Sequence, residues 1–309
     1  MRKILTIGEI LVEIVATTKG NGFLEAQPLI GPFPSGAPAI FIDQVGKLKT
    51  PCAIISRVGN DDFGQLNLNR LMADQVDISG ISIAEGEATG SAFVRYQTNG
   101  DRKFVFNIAH SACGKLEDNP NIEVLLTQCD HLHLMGTALS SPGLKNMALR
   151  AVQVIKARGG TLSFDPNLRA EIMTPELCSD LKMILRQTDL FLPSGDELFL
   201  FTEAKEEQAA INELFALGIQ EIVLKRGNQG ATYFTKEQQI NIRPHHVDEL
   251  DPTGAGDSFG GAFVSFWING YSAAEALRYA NAAGARAVTQ LGPMEGTSTQ
   301  LELDQFLAQ

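Results

Sequence analysis

What the sequence has little of narrows it first. Lysine and arginine number 25 against 36 aspartates and glutamates, giving a net charge of −11 over 309 residues. Sequence-independent nucleic-acid binding needs a basic face to neutralise phosphates, so that class is excluded, and nothing here draws the chain to an anionic membrane. Any phosphate the protein handles must therefore meet a locally positive site. No uninterrupted apolar stretch approaches the roughly 18 residues of a membrane span. The four cysteines, Cys52, Cys113, Cys129 and Cys178, form no C-x-x-C pair and no metal-ligand spacing. They read as reduced thiols of a cytoplasmic protein. The apolar run in Met1 to Gly8 is too short for a secretory signal and is expected to be a first strand. Two nucleotide motifs are missing as well. Phe259 stands where the third glycine of G-x-G-x-x-G would be, and no lysine follows the glycines as a P-loop requires.

What is present is a soluble composition, 44% apolar and 20% charged, in a pattern of short apolar runs alternating with helical segments. Strands are predicted at Lys3–Ile7, Cys52–Ser56, His131–Met135, Thr161–Asp165, Leu190–Pro193 and Glu221–Lys225. Helices are predicted at Phe63–Ala73, Gly143–Arg158 and Glu207–Leu217, the first with an Asp of Gly59–Asp62 as N-cap. This is the signature of βαβ units around a mostly parallel, doubly wound sheet. Two stretches break the alternation. Residues 11–36 are rich in Gly, Pro and Thr. Residues 91–108 read as a hairpin, Ala92–Tyr96 and Lys103–Phe106 around a turn at 98–101. Together they are expected to form a small β lid over one edge of the sheet, serving either to exclude water or as a dimer contact.

The stretch Asp251–Gly261 carries the chemistry. Glycines at 254 and 256 lead into an apolar run ending at Asn269–Gly270, which reads as a buried helix. Its first N–H groups have no intrahelical acceptor and carry the positive end of the macrodipole, so Gly254, Ala255 and Gly256 offer an anion a nest of donors. Asp257 conflicts with that site unless it takes a proton in the reaction or meets a cation. A plain turn whose Asp caps a helix is the bland alternative. In an open parallel sheet, ligands sit beyond the carboxyl ends of the strands. Polar clusters stand at three of those ends: Asp165–Arg169, Pro193–Glu197 and Lys225–Gly230.

Taken together, these residues resemble the ribokinase family of carbohydrate kinases. Asp251–Asp257 is similar to the family's D-T-x-G-A-G-D, with Pro252 in place of a Thr. In order along the chain stand Gly8-Glu9, Ser35–Ala39, Val58–Gly64, Asp165-x-Asn167-x-Arg169, Ser194-x-x-Glu197 and Lys225-x-Gly227-x-x-Gly230. The resemblance implies one α/β domain over 1–309, with a doubly wound sheet, a β lid from insertions at about 11–36 and 91–110, and phosphoryl transfer from ATP to a sugar hydroxyl. It implies Asp257 as general base and Gly254–Gly256 as the anion hole, in keeping with a reaction that needs positioning and charge stabilisation. It further implies that Glu197 holds Mg²⁺ through its waters, since that ion keeps several. Ser194 then stands where many members have Asn. Lys225, Gly227 and Gly230 fall on the nucleotide side, and Asn281 falls at the adenine pocket or is simply an exposed polar residue. A monovalent cation such as K⁺ is implied at Asp251 and Thr253, with help from 289–296.

For the sugar, the resemblance implies contacts from Glu13, where many members have Asp, and from Gly36 and Ala37. Ile40 replaces a hydroxyl-reading Asn. Acid-sugar kinases carry a Tyr-Tyr-Arg-like lid element, where this chain has Phe106-Asn107-Ile108. That difference points to a neutral ketohexose, tagatose or fructose, phosphorylated at its primary 6-hydroxyl. Arg169 could serve a carboxylate, which keeps 2-keto-3-deoxygluconate as the alternative. His131 and His133 are assigned opposite faces of one strand, with no shared metal site. His245 and His246 are expected in surface or core roles, and His110 is a candidate for reaching the sugar. A non-catalytic sugar or nucleotide sensor is the rival class. A nicotinamide dehydrogenase is disfavoured by the failed fingerprint. Exposed lid edges predict a homodimer through the lid.

Overall fold

The computed structural model describes residues 2–20, 22–98, 102–139, 141–168 and 175–309. Its elements in order are β1 (Ile4–Ile7), β2 (Leu11–Lys19), β3 (Leu29–Ser35), α1 (Ala37–Lys47), β4 (Cys52–Gly59), α2 (Asp62–Ala73), β5 (Asp77–Ala84), β6 (Gly90–Tyr96) and β7 (Arg102–Asn107). There follow α3 (Pro120–Gln128), β8 (His131–Met135), α4 (Pro142–Ala157), β9 (Thr161–Asp165), α5 (Pro175–Leu185), β10 (Leu190–Phe191), α6 (Glu207–Ala216) and β11 (Glu221–Lys225). The chain ends with β12 (Ala231–Phe234), β13 (Gln239–Ile242), α7 (Ala255–Ile268), α8 (Ala273–Ala287) and α9 (Gln300–Leu307).

Among the described residues, nine strands form one sheet in the order β13-β12-β11-β10-β9-β8-β1-β4-β5. Every pairing from β11 to β5 is parallel, and β12 and β13 add an antiparallel edge. The chain therefore starts in the middle and winds outward both ways, as the α/β reading expects. Period-2 alternation sorts the side chains onto two faces. Leu5, Ile7, Leu132, Leu134 and Phe164 join one apolar core under α3 to α6, whereas Ile4, Ile54, Met135 and Val223 join another under α1, α7 and α8. Fully buried Phe164, Phe191, Phe41 and Phe263 anchor these layers, each contributing about 1.5–3 kcal/mol of burial.

One expectation is corrected here. His131 and His133 share a face, because residues two apart on a strand point the same way. Both rings reach the Ser163 hydroxyl, at 2.8 and 2.7 Å, and His133 stacks on Phe41 with ring centroids 3.7 Å apart. Burial pushes the His131 imidazole down to about 3 and holds His133 well below its ordinary range too. They are neutral core residues.

The remaining strands make a second sheet, β3-β2-β6-β7. The hairpin is present: Ser91 pairs with Asn107 and Tyr96 with Arg102 in an antiparallel ladder, while residues 99–101 of the expected turn lie outside the described residues. All four strands enter or leave this sheet at one end, where Leu11, Ser35, Gly90 and Asn107 gather. Gly36 makes the passage from β3 into α1. Its φ is 109°, and a Cβ there would lie 2.5 Å from the Glu9 carbonyl oxygen, so only glycine fits. Ala37-Pro38 then starts the helix, Pro being suited to a first turn.

Candidate active site

Parallel pairing places the carboxyl ends of β1, β8, β9, β10 and β11 along one edge, and a cleft of two adjoining cavities runs beside them. The first, of about 280 Å³, is lined by Glu9, Glu13, Gly36, Thr137, Asp165, Ser194, Glu197 and Asp257, with Arg102 and Phe106 from the second sheet. The second, of about 420 Å³, is lined by Gly227, Gly230, His245, His246, Ala255, Asn281 and Gly284. Lys225, Pro252 and Gly256 border both. The start of α7 thus stands at the junction.

Each feature of that junction follows from local sequence. Gly254 caps α7 at φ 80°, and a Cβ on it would lie 2.3 Å from the Pro293 carbonyl oxygen; only glycine permits both the left-handed turn and the close approach. Gly256 differs. A Cβ there would meet only Lys225 Nζ, at 3.7 Å, so its missing side chain leaves space on the cleft side. Asp257 projects into the first cavity from the first turn, with Asn167 Nδ2 donating to its Oδ1 at 3.4 Å. Asn167 has a φ of 39°, a region that Asn tolerates better than most residues.

Lys225 lies between carboxylates. Its ammonium pairs with Asp165. Burial alone would lower its pKa, but the charges of Asp165 and Glu197, with Asp257 beyond, outweigh that and raise it. The site therefore keeps a fixed cation next to the backbone at the start of α7, in a chain whose overall charge is negative. Glu197 sits in the first turn of the short 3-10 helix Gly195–Phe199. Its oxygens accept from Leu168 N at 2.9 Å and Ser194 N at 2.8 Å. Burial, then the neighbouring Asp165 charge, raise its pKa against the pull of Lys225 and those two donors.

Among the described residues no three His, Cys, Asp or Glu side chains converge to hold a metal unaided. A carboxylate pair, Asp165 and Glu197, beside the start of α7 is instead the donor set suited to Mg²⁺, which binds through one or two carboxylates, its own waters and phosphate oxygens.

Of the residues expected at the site, the first cavity gathers Glu13, Gly36, Ala37, Ser194, Glu197, Lys225, Thr253, Gly254, Gly256 and Asp257. The second gathers Lys225, Gly227, Gly230, Ala255, Gly256 and Asn281. Asn281 is a buried cleft residue, its amide donating to the Arg243 carbonyl at 2.9 Å. Asp251 lines neither cavity. It lies beneath the loop and accepts from Thr253 N at 3.0 Å, Thr253 Oγ1 at 2.7 Å and Gly292 N at 3.2 Å. Arg169 lies outside the described residues. His110 is exposed and away from the cleft, whereas His245 and His246, expected elsewhere, line the second cavity.

Two residues escaped the sequence reading. Thr137 follows β8, is 5% exposed and lines the first cavity, and its buried hydroxyl has no hydrogen-bond partner among the described residues. No motif flags it, although its position just beyond a strand end does. Arg102 opens β7 and faces inward with Phe104 and Phe106. The alternation that predicts the hairpin already puts these three on one face.

Comparison with known proteins agrees with this geometry. The sequence profile of the pfkB family carbohydrate kinases matches residues 1–300, and the chain belongs to that family. It is 33% identical to the Arabidopsis thaliana protein named Probable fructokinase-3, over 98% of this chain and 91% of the relative. A solved E. coli structure, provisionally a ribokinase II, in complex with ATP and Mg²⁺ superposes with a TM-score of 0.94 at 48% identity, covering 100% of this chain and 99% of that one. A Vibrio cholerae O395 fructokinase double mutant holding fructose, ADP and potassium superposes with a TM-score of 0.83 at 26% identity, covering 99% and 98%. The protein is a sugar kinase with the ribokinase-like α/β fold.

Proposed function

We propose that this kinase transfers the γ-phosphoryl group of ATP to the primary hydroxyl of a neutral ketohexose, fructose or tagatose. One observation carries the choice of sugar. The acceptor end of the cleft holds two buried carboxylates, Glu9 and Glu13, and the guanidinium that lines this cavity among the described residues, Arg102, is bonded to Thr253. Carboxylates accept hydrogen bonds from hydroxyl groups and repel an acid sugar. Glu13 is held in place by Ser35, whose Oγ donates to it at 2.9 Å.

In this reading the nucleotide occupies the cavity bordered by Gly227, Gly230 and Asn281. Its terminal phosphate meets the backbone of Gly254, Ala255 and Gly256. Asp257 orients the sugar hydroxyl and takes its proton late in the transfer, while Lys225 steadies the charge moving past Gly256. Glu197 and Asp165 would hold Mg²⁺, which would supply charge neutralisation at the phosphates. Gly36, Ala37 and Ile40 close around the sugar, and the second sheet is the lid that keeps water out. Its strands carry exposed Leu29, Ile30 and Val105, apolar surface that supports a homodimer through this sheet. The protein is placed in the cytoplasm as a single domain, consistent with cysteines free among the described residues.

The deciding experiment is an ADP-release assay with ATP and Mg²⁺ over fructose, tagatose, ribose and 2-keto-3-deoxygluconate, with the product located by NMR. Fructose or tagatose is expected to give the highest kcat/KM, with phosphate on the 6-hydroxyl. Preference for 2-keto-3-deoxygluconate would sink the neutral-sugar reading, and no sugar-dependent release on any of them would indicate a sensor.

A further inference from the structure

The loop that presents the anion-binding backbone carries a carboxylate beneath it, and that charge opposes the loop's task. Asp251 is 1% exposed, and the N–H and hydroxyl donors of Thr253 and Gly292 hold it in place. Those donors are neutral. They fix the geometry without cancelling a negative charge only three residues from the glycine nest, in an interior that screens it poorly. A cation does stand over it. Arg102 Nη1 lies 3.9 Å from Asp251 Oδ1 and donates to Thr253 Oγ1, which in turn donates to the same carboxylate oxygen. This guanidinium does not come from the central sheet. It is borne by the first residue of β7, at the end of the second sheet remote from its attachment.

We infer that Arg102 is the counter-ion of the anion-binding loop, filling from the second sheet the role that a monovalent cation at Asp251 and Thr253 would otherwise fill. A guanidinium and a potassium ion at one carboxylate repel each other, so the two are alternatives. Arg102 is thus a positioning residue. It acts through Asp251 and Thr253 on the N–H groups of Gly254 to Gly256, and the site carries its full positive potential only when the second sheet lies against the loop.

The test compares wild type, Arg102→Ala and Arg102→Lys in potassium chloride and in tetramethylammonium chloride at equal ionic strength, reading thermal midpoint and turnover. Only the turnover reading rests on the kinase assignment. Wild type and Arg102→Lys are expected to be indifferent to potassium in both readings. Arg102→Ala should lose about 10²-fold in kcat in tetramethylammonium and regain part of it in potassium, with a midpoint raised by roughly 2 °C or more, as an ion binding only the folded state requires. Arg102→Gln replaces Arg102→Ala should the latter fail to fold. A wild-type enzyme that potassium stabilises and activates as much as the variant would overturn the inference, as would a neutral variant with no potassium response. If wild type turns over no sugar, the kinase reading falls, and the midpoints still decide the role of Arg102.

Discussion

The two ends of the cleft are built from different materials. At the phosphoryl end the working surface is backbone: the start of α7, with Gly254 forced by the Pro293 carbonyl and Gly256 left bare toward the cleft. At the acceptor end it is side chains, Glu9, Glu13, Thr137 and Phe106, two of them on the second sheet. Backbone donors can serve any phosphoryl group and tolerate little change in the residues that shape them, whereas side chains select one pattern of hydroxyls and are exchanged singly. On the proposed reading, the first end specifies the reaction and the second the substrate.

Mutations can break or sharpen this contrast. The largest effect is expected from Asp257→Asn, which removes the proposed proton acceptor and should lower kcat by about 10²–10⁴-fold. Because it acts at the shared end, the loss should be the same for every sugar turned over, with ATP binding by calorimetry retained. A loss confined to one sugar would show that the two ends are not separable. Glu13→Gln should be milder and selective. Weakening one buried, charged hydrogen bond, worth about 1.5–3 kcal/mol, should raise KM by roughly 10- to 100-fold for the preferred ketohexose, change it less for sugars that bind poorly, and leave the KM for ATP alone.

The smallest effect on catalysis belongs to a control outside the cleft. Burial drives the His131 pKa down to about 3, below the value near 6.5 of an unfolded chain. The unfolded state therefore takes up its proton first, so stability is constant above pH 6.5 and falls as pH drops from there toward 3. At pH 5 the penalty is about 2 kcal/mol for this one ring. Urea midpoints at pH 7 and pH 5 should differ less for His131→Gln than for wild type, with kcat at pH 7 near the wild-type value. An equal pH dependence in the two proteins would remove the imidazole from the acid response.

The same contrast explains what could be read from the sequence. The glycine-led start of α7 was legible because glycines at fixed spacing before an apolar helix admit few physical uses, and the polar lining of the cleft because residues such as Asp165 and Lys225 recur where strands stop. Six strands of the large sheet and helices α2, α4, α6 and α7 were legible from their periods, whereas β5, β12 and β13 were not foreseen. The order of the strands was not, since a parallel connection leaves open on which side its partner lies; β1 proves to sit between β8 and β4. Thr137 and Arg102 were missed because each is a single residue whose meaning depends on what another element places opposite it. The opposite faces assigned to His131 and His133 came from misapplying the strand period, and the shared Ser163 contact exposes that directly.

The common attachment of the four strands of the second sheet has a mechanical consequence. Leu11, Ser35, Gly90 and Asn107 mark the fixed end, and Arg102 lies at the other end of β7, five residues from Asn107, or about 17 Å along an extended strand. On the proposed reading, the sheet is a lever with its fulcrum beside the sugar site and its charged tip over the phosphoryl site. A tilt of about ten degrees at the fulcrum moves a tip at that distance by roughly 3 Å, enough to separate Arg102 from Thr253. On the proposed reading, a sugar that settles under the attached end and tilts the sheet would alter, through Arg102, the potential at the phosphoryl site.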